Sequence, residues 1–241
     1  MIGKKYRKSM NRKIILAVGA HPDDLDFGCS GTVAKWVKEG ATAYYLICTN
    51  GSKGSDDPKM TQKKLVKIRK MEQLAAAKVL GIKKVFFLSH EDGELENNLE
   101  LKEKVTRIIR KVRPDIVFTT DPLMIYSKKR GYLNHPDHRA CGQAVLDSIY
   151  PLSRDRLTFP NHEKEKLKPH KVKKVYLINF DEQDTFLDIS STIHLKIKAL
   201  LLHKSQVSKE ATERIKEWAK RVGKKKGYRF AEGFKKIILK N

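Results

Sequence analysis

Cysteine is scarce in this sequence, and long apolar runs are missing from it. The three cysteines, Cys29, Cys48 and Cys141, are far apart and never in a CxxC spacing. This pattern argues against both a disulfide framework and a thiolate zinc site, so we expect a reducing, cytoplasmic compartment. No apolar stretch reaches the roughly 18 residues that a membrane helix requires, so we expect no membrane span.

A secretory signal is also not expected, although the first 20 residues superficially resemble one. They have a basic start and an apolar run over residues 14–20. That run is only about seven residues long, the lower limit for a signal, and it is equally typical of a buried parallel strand. Cleavage there would remove the strand that leads into the most informative motif of the chain.

Acidic residues are few relative to basic ones. The chain has 28 Asp and Glu against 51 Lys and Arg, which gives a formal net charge of +23. Such a charge suits nucleic acid, an anionic membrane surface or an anionic substrate. The basic residues are, however, spread along the whole chain without interleaved aromatic residues. The pattern favours a solvated surface and no specific nucleic-acid partner, and a basic nucleic-acid-binding module is the alternative.

Length and patterning predict one α/β domain over residues 1–241, with a basic extension at 1–12. The first half alternates strands and helices, which indicates a mostly parallel sheet with helices on both faces. No repeat or linker divides the chain. The predicted strands are 13–18, 42–49, 84–88, 115–120 and 175–179. The predicted helices are 28–38, 61–80, 99–112, 136–149, 192–203 and 209–220, and 228–239 is predicted as a short helix or a pair of strands.

Two tetrapeptides concentrate the residues that can do chemistry. The first runs from His21 to Asp24 (HPDD) and follows the first strand; the second runs from His135 to His138 (HPDH) and opens a helix after the fourth strand. Open α/β sheets bind ligands at the carboxyl ends of their strands, so both motifs are expected to face one crevice. His and Asp are ligand types that zinc accepts.

Either motif alone has a simpler interpretation, because His-Pro-Asp is a common helix start with Asp as N-cap and Pro at the first helical position. Two copies at the ends of alternate strands are harder to explain by capping. A catalytic zinc takes three protein ligands and keeps one position open. One of the four candidates should therefore not bind metal, and the spacing leaves open which one. The four candidates are His21, Asp24, His135 and His138.

The two motifs resemble those of the LmbE/PIG-L family of zinc-dependent N-acetylglucosamine deacetylases. The resemblance extends over most of the chain, at Ala20–Thr32, Thr49–Gly51, Arg69–Glu72, Leu80–Gly81, Asp92–Glu94, Asp121–Pro122, Ser205–Gln206 and Ala231–Phe234. It implies a Rossmann-like single domain. It also implies a hydrolase that releases acetate and a free amine from a GlcNAc-containing small molecule or short oligosaccharide.

The resemblance also implies a role for each site residue. It makes three residues the zinc ligands: His21, Asp24 and His138. Asp23 is then the general base, and a protonated His135 polarises the carbonyl and stabilises the oxyanion. Asp137 is expected to hold a ring nitrogen of a neighbouring histidine.

Two further residues are expected to contact substrate. Arg69 resembles the family's substrate-contacting arginine, although an Arg three residues before Glu72 is equally typical of a surface helix pair. Asp92 follows a strand and fits either an acceptor for sugar hydroxyls or an ordinary turn. The sequence departs from many relatives in having Leu25, followed by Asp26, where they carry Glu. A metal-dependent phosphoesterase is a second alternative function, and the resemblance also allows a homo-oligomer.

Overall fold

The computed structural model describes residues 12–240, and nearly all of the predicted basic extension lies outside this range. Nine strands are present: β1 (Ile14–Gly19), β2 (Thr42–Thr49), β3 (Lys84–His90), β4 (Ile116–Thr120), β5 (Tyr126–Ser127), β6 (Tyr132–Leu133), β7 (Lys174–Ile178), β8 (Thr185–Asp188) and β9 (Ala231–Ile238). The α-helices of this range are α1 (Asp24–Gly28), α2 (Ser30–Lys38), α3 (Gln62–Leu80), α4 (Leu99–Val112), α5 (Pro136–Asp147), α6 (Asn161–Lys164), α7 (Ile193–Leu200) and α8 (Lys209–Lys224). None of these helices is both long and apolar enough to cross a membrane.

Seven strands form one sheet in the order β3-β2-β1-β4-β7-β9-β8, and β5 pairs with β6 in a separate hairpin. Five adjacent strands of this sheet are parallel, namely β3, β2, β1, β4 and β7. The strand β9 is antiparallel to both of its neighbours, β7 and β8. The predicted α/β class with a mostly parallel sheet is confirmed.

Each face of the sheet is covered by helices because successive side chains of a strand point to opposite faces. Ile15 and Ala17 of β1 pack into one core, to which α2, α3 and α7 contribute. Leu16 and Val18 pack into the other core, which α4 and α5 cover. Complete burial of an Ile or Leu side chain stabilises the fold by about 1.5–3 kcal/mol, so this alternation strongly disfavours a slipped register.

Helix boundaries in the first half follow the expected local signals. Thr61 caps α3 through its side-chain oxygen, which accepts from the Lys64 N–H, and Gly81 ends that helix in a left-handed conformation. Asn98 caps α4 in the same way, by accepting from the Leu101 N–H. These caps satisfy backbone groups that a helix leaves free at its ends.

Several short elements were not predicted. The strand β8, the hairpin of β5 and β6 and the helix α6 have no counterpart in the prediction. Residues 228–239 were predicted as a short helix or a pair of strands, and the structure has the strand β9 at residues 231–238. In the first half the short helix α1 was missed, since the predicted helix begins at Gly28 and α1 already begins at Asp24. The sheet closes on its β8 side with antiparallel strands, whose pairing depends on partners distant in the chain.

The sheet changes direction of strand order beside β1. From β1 the chain adds β2 and then β3 on one side, and β4 pairs with β1 on the other. The carboxyl ends of β1 and β4 therefore border a crevice at a topological switch point, where open α/β sheets bind ligands. The two His-Pro-Asp motifs follow these two strands.

Candidate metal centre

The first motif makes a sharp turn directly after β1. Asp23 has a φ of 98°, a left-handed conformation that non-glycine residues seldom adopt. The Asp23 N–H donates to Gln73 Oε1 at 3.0 Å, which holds this turn against α3. Asp24 begins α1, and its Oδ2 accepts from the His21 N–H at 2.8 Å. The turn thus places the neighbouring carboxyl groups of Asp23 and Asp24 in different surroundings.

The second motif is the start of α5. Pro136 is at the first helical position, as the helix-start interpretation predicts, but the N-cap is His135 rather than Asp137. Helix capping does not account for Asp137, however. Asp137 is fully buried, and its carboxylate accepts from the backbone N–H groups of Gly93 at 2.7 Å and Leu95 at 3.2 Å. This carboxylate therefore anchors the loop after β3 to α5.

Three side chains from the two motifs converge although 117 positions separate two of them. His21 Nδ1 is 3.3 Å from His138 Nε2 and 3.5 Å from Asp24 Oδ2. His138 Nε2 is 3.1 Å from Asp24 Oδ1. The ligand atoms of these three residues all lie within 4.8 Å of one another, so they could hold a metal ion. Two imidazoles and one carboxylate are a donor set that zinc accepts in catalytic sites.

The ring nitrogens that face away from this cluster are held by hydrogen bonds. His21 Nε2 is 3.1 Å from both Asp137 Oδ2 and Asp92 Oδ1. His138 Nδ1 is 3.0 Å from Asn134 Oδ1. Each partner is an oxygen acceptor, which favours a proton on the outer nitrogen of each ring and leaves His21 Nδ1 and His138 Nε2 to face the cluster. The residues present therefore fit a divalent cation.

Two of the outer residues also belong to a second group of metal-ligand type, formed by His21, Asp92, His135 and Asp137. In this group the carboxylates are already engaged, because Asp92 Oδ2 accepts from the Lys53 N–H at 2.9 Å and Asp137 binds two backbone N–H groups. The carboxylates of Asp92 and Asp137 therefore serve to orient the His21 ring.

Charge in the cluster explains why a cation is favoured there. Burial alone lowers the pKa of His21, but the carboxylates of Asp137, Asp24 and Asp92 outweigh it and raise this pKa to about 12. Burial raises the pKa of Asp24, but His138 and His21 outweigh it and hold this pKa well below its usual range. The carboxylates therefore stabilise a positive charge at the centre of the cluster. Either a proton on His21 or a metal ion can supply this charge, and metal binding would release the proton.

Asp23 lies beside the three candidate ligands, and its carboxylate forms no hydrogen bond or ion pair with their side chains. Its carboxyl group is 13% exposed, and its Oδ2 is 3.4 Å from Arg69 Nη2. Burial raises the pKa of Asp23 to about 7, although the Arg69 guanidinium opposes this rise. A carboxylate whose pKa lies near neutrality can both accept and return a proton.

Arg69 and Asp92 are buried at the base of the site. Arg69 is 5% exposed and donates to the carbonyl oxygens of Pro22 at 2.7 Å and Gly51 at 3.1 Å. The alternative of a surface pair with Glu72 is wrong, because the Glu72 carboxylate accepts from the N–H and hydroxyl of Ser205. Asp92 is 6% exposed and contacts His21, as described above.

His135 is the most accessible of the four histidine and aspartate candidates. Its side chain is 40% exposed, and its Nδ1 accepts from the Asp137 N–H at 3.1 Å. Burial lowers the pKa of His135, and the neighbouring positive charge of His21 lowers it further. Because Nδ1 accepts this hydrogen bond, Nε2 is the ring nitrogen that can donate, and the role of a protonated His135 at the oxyanion stays a prediction.

Sequence reasoning missed a buried chain of polar residues behind Asp23. Gln73, whose Oε1 holds the Asp23 N–H, donates from Nε2 to Asp26 Oδ2 at 2.9 Å. His203 Nε2 lies 2.8 Å from the same Asp26 oxygen, and all three side chains are fully buried. Leu25, the departure from the family pattern, packs into the core. Gln73 lies four positions after Arg69 on the same face of α3, but this spacing alone does not indicate burial.

A cavity of about 690 Å³ opens beside the candidate ligands Asp24 and His138. Cavities of this size hold small-molecule ligands. Its wall contains the aromatic side chains of Phe27, Tyr132, Phe180 and Trp218, and helix α8 forms one side of it.

Comparison with known proteins identifies relatives of the whole arrangement. Residues 16–149 match the PIG-L family, described as GlcNAc-PI de-N-acetylase. The chain is 30% identical over 231 residues to the diacetylchitobiose deacetylase of Thermococcus kodakarensis, and the alignment covers 92% of this chain and 82% of the relative. It is 26% identical to a probable N-acetyl-alpha-D-glucosaminyl L-malate deacetylase 2 of Bacillus anthracis, over 86% of this chain and 88% of the relative.

A solved structure shares the fold over nearly the whole length. The N,N'-diacetylchitobiose deacetylase of Pyrococcus horikoshii superimposes with a TM-score of 0.86 at 29% identity, over 98% of this chain and 91% of that chain.

Proposed function

The chain belongs to the PIG-L family of de-N-acetylases, and we propose that its metal centre removes the N-acetyl group from a GlcNAc-containing small molecule or short oligosaccharide. The products are acetate and a free amine. The observation that carries this proposal is the convergence of His21, Asp24 and His138 within 4.8 Å, with a separate buried carboxyl group, Asp23, beside them.

The three converging residues would hold a zinc ion. Two imidazole nitrogens and a carboxylate oxygen suit zinc better than magnesium or calcium, which prefer oxygen ligands alone. The ion supplies Lewis-acid chemistry, which acidifies water and polarises an amide carbonyl. Asp137 and Asp92 hold His21, and Asn134 holds His138, so the two rings present the correct nitrogens before any ion binds.

Asp23 acts as the general base. Its pKa near 7 allows it to accept a proton from the attacking water and to return that proton to the leaving nitrogen, so one group serves both steps. The Arg69 guanidinium pairs with the Asp23 carboxylate at 3.4 Å, and its positive charge favours the ionised form of that carboxylate. The hydrogen bond from the Asp23 N–H to Gln73 keeps the turn in its left-handed conformation.

His135 stabilises the oxyanion as a neutral hydrogen-bond donor. Its Nδ1 accepts from the Asp137 N–H, which fixes the proton on Nε2 and orients the ring. A donor that is already in place needs no reorganisation when negative charge develops on the carbonyl oxygen. Arg69 and Asp92 are in addition proposed to contact the substrate sugar, as the family resemblance implies.

Acetate release from a panel of substrates tests this function. The panel contains GlcNAc, N,N'-diacetylchitobiose, GlcNAc-inositol and GlcNAc-malate, and each is assayed with protein of measured zinc content. We expect acetate from at least one substrate, and none after Asp24→Ala. Asp155→Asn is a matched control, because it removes an exposed carboxylate outside the site. Absence of acetate from the whole panel with zinc-loaded protein would contradict the proposal.

The two alternative functions have no support in the comparisons, since the relatives named above are deacetylases. We further propose that the chain is a single domain, because one sheet includes strands from residue 14 to residue 238. The three cysteines are free and buried, with Cys48 Sγ 3.7 Å from Cys141 Sγ, which supports a cytoplasmic location. Association into a homo-oligomer remains a prediction.

A further inference from the structure

The cavity beside the metal ligands has a strongly one-sided charge. Its lining includes four basic residues, Lys129, Arg130, Arg214 and Arg221. Asp24 is the only acidic residue of that lining, and its charge is neutralised within the metal centre. None of the four basic side chains forms an ion pair or a hydrogen bond with another described residue. Positive charge therefore lines the cavity without an ion-paired or hydrogen-bonded partner among the described residues.

Arg130 is held in place by aromatic rings rather than by acids. Its guanidinium carbon lies 4.9 Å from the ring centre of Phe180, 5.2 Å from that of Trp218 and 5.9 Å from that of Tyr132. Stacking uses the flat face of a guanidinium group and leaves the N–H groups at its edge available. A fork of N–H donors in this state matches the paired oxygens of a carboxylate or a phosphate.

Helix α8 presents two more arginines on the same side. Arg214, Trp218 and Arg221 follow one another at intervals of four and three residues, which places them on one face of a helix. The acids Glu213 and Glu217 of this helix pair instead with Lys216 and Lys220. Glu210 of the same helix interacts electrostatically with Arg214 but forms no ion pair with it, so both arginines line the cavity without an ion-pair partner among the described residues.

The type of basic residue separates this cavity from the general surface charge. The chain has 38 lysines and 13 arginines among its 51 basic residues, yet three of the four basic residues of the cavity are arginines. A surface that is basic only for solvation would present mostly lysine, as the rest of this chain does. Arginine is the residue suited to planar recognition of carboxylate and phosphate groups.

We propose that this cavity binds an anionic group on the aglycone, so that the substrate class is GlcNAc linked to a moiety that bears a carboxylate or a phosphate. The inference rests on the proposed deacetylase function. The aromatic wall contacts the apolar face of a sugar ring, Asp24 and His138 mark the end at which the acetamide reacts, and Arg130, Arg214 and Arg221 bind the anion at the other side. Arg130 is the specificity-determining residue among them, because it alone is stacked by three rings.

Matched pairs of substrates that differ in charge test the proposal. GlcNAc-malate is compared with its dimethyl ester, and GlcNAc 1-phosphate is compared with methyl N-acetylglucosaminide. We expect the anionic member of at least one pair to have the higher kcat/KM, by about 10-fold or more, and the two pairs distinguish a carboxylate from a phosphate ligand. The preference should decrease with added NaCl, because exposed charges are screened.

Variants then assign the preference to residues. Arg130→Gln should lower the ratio of kcat/KM between the anionic and the neutral substrate by about 10- to 100-fold, the effect of losing a charged hydrogen bond. Arg156→Gln is the control, because it removes the same charge from an exposed residue that pairs with Glu163. Inhibition by the amine product glucosamine 1-phosphate, relative to glucosamine, gives a second readout and should weaken in Arg130→Gln only.

The outcomes separate the two proposals. Equal kcat/KM for charged and neutral substrates, or an unchanged ratio in Arg130→Gln, overturns the anionic cavity while acetate release upholds the deacetylase function. Failure of every substrate, neutral or charged, to release acetate from zinc-loaded protein overturns the function itself.

Discussion

Replacement of Asp23 by Asn separates proton transfer from metal binding at two adjacent carboxyl groups. Asn keeps the size of Asp23 and can still accept from Arg69, whose Nη2 lies 3.4 Å from the carboxylate. It cannot take a proton from water. Because the metal ligands are other residues, we expect zinc content and KM close to wild type, with kcat lower by roughly 10²- to 10⁴-fold. That loss corresponds to about 2.7–5.5 kcal/mol of transition-state stabilisation.

The pH profile gives an independent readout of the same group. Asp23 must be ionised to act as a base, and burial places its pKa at about 7. A bound cation lowers this pKa further, so the wild-type kcat/KM should rise with pH on an acid limb centred at or below about 7. The acid limb due to Asp23 should disappear in Asp23→Asn.

Stability supplies the folding control. A carboxyl pKa that is higher in the folded than in the unfolded chain means that the folded state binds more protons between pH 3.8 and about 7. Ionised Asp23 therefore destabilises the metal-free protein as pH rises through this window, and the destabilisation is fully present above it. Metal-free Asp23→Asn should accordingly have a Tm at pH 8 no lower than wild type, measured by calorimetry.

The companion variant is Asp24→Asn, which should lower zinc affinity and regain activity when zinc is added. The result that refutes the reasoning is an Asp23→Asn enzyme that turns over at the wild-type rate, or one whose activity added zinc restores. Either result would mean that the base is another group, and His135 would be the next to test.

Three further predictions follow from the same geometry. Purified protein should contain about one zinc per chain by elemental analysis; His138→Ala should lose most of it and His135→Ala should retain it, and full retention by His138→Ala would contradict the ligand assignment. Gln73→Leu removes the acceptor of the Asp23 N–H, so kcat should fall about 10-fold or more with zinc content unchanged. The control is Gln143→Leu, which changes a partly exposed side chain of α5. Equal kcat for both variants would exclude a positioning role for Gln73. Duplex DNA at about 150 mM salt should bind only weakly in fluorescence anisotropy, because scattered lysines neutralise few phosphates at once, whereas nanomolar sequence-selective binding would restore the nucleic-acid alternative.

The fold and the meeting of the two His-Pro-Asp motifs could be predicted because their signals are local. The apolar run of β1, the motif that follows it and the glycine that ends α3 each act within a few residues. His21 and His138 come together because both follow strands that are neighbours in the sheet, and the alternation of strands and helices already implies such neighbours. The strand β8 carried no comparable signal, since four residues with half-buried side chains show no period.

The residues that hold Asp23 could not be predicted, because their meaning depends on segments that are far apart in the chain. Gln73 lies in a helix with many charged residues, and a glutamine there is typical of a solvated face. It is buried against Asp26 of α1, which in turn contacts His203 from the residues after α7. A buried amide is stable only when both of its polar atoms are satisfied, and here one atom binds Asp26 while the other binds the Asp23 N–H. The left-handed turn that separates the proposed base from the proposed metal ligand is therefore held by Gln73, 50 residues further along the chain, and the motif HPDD alone does not indicate this partner.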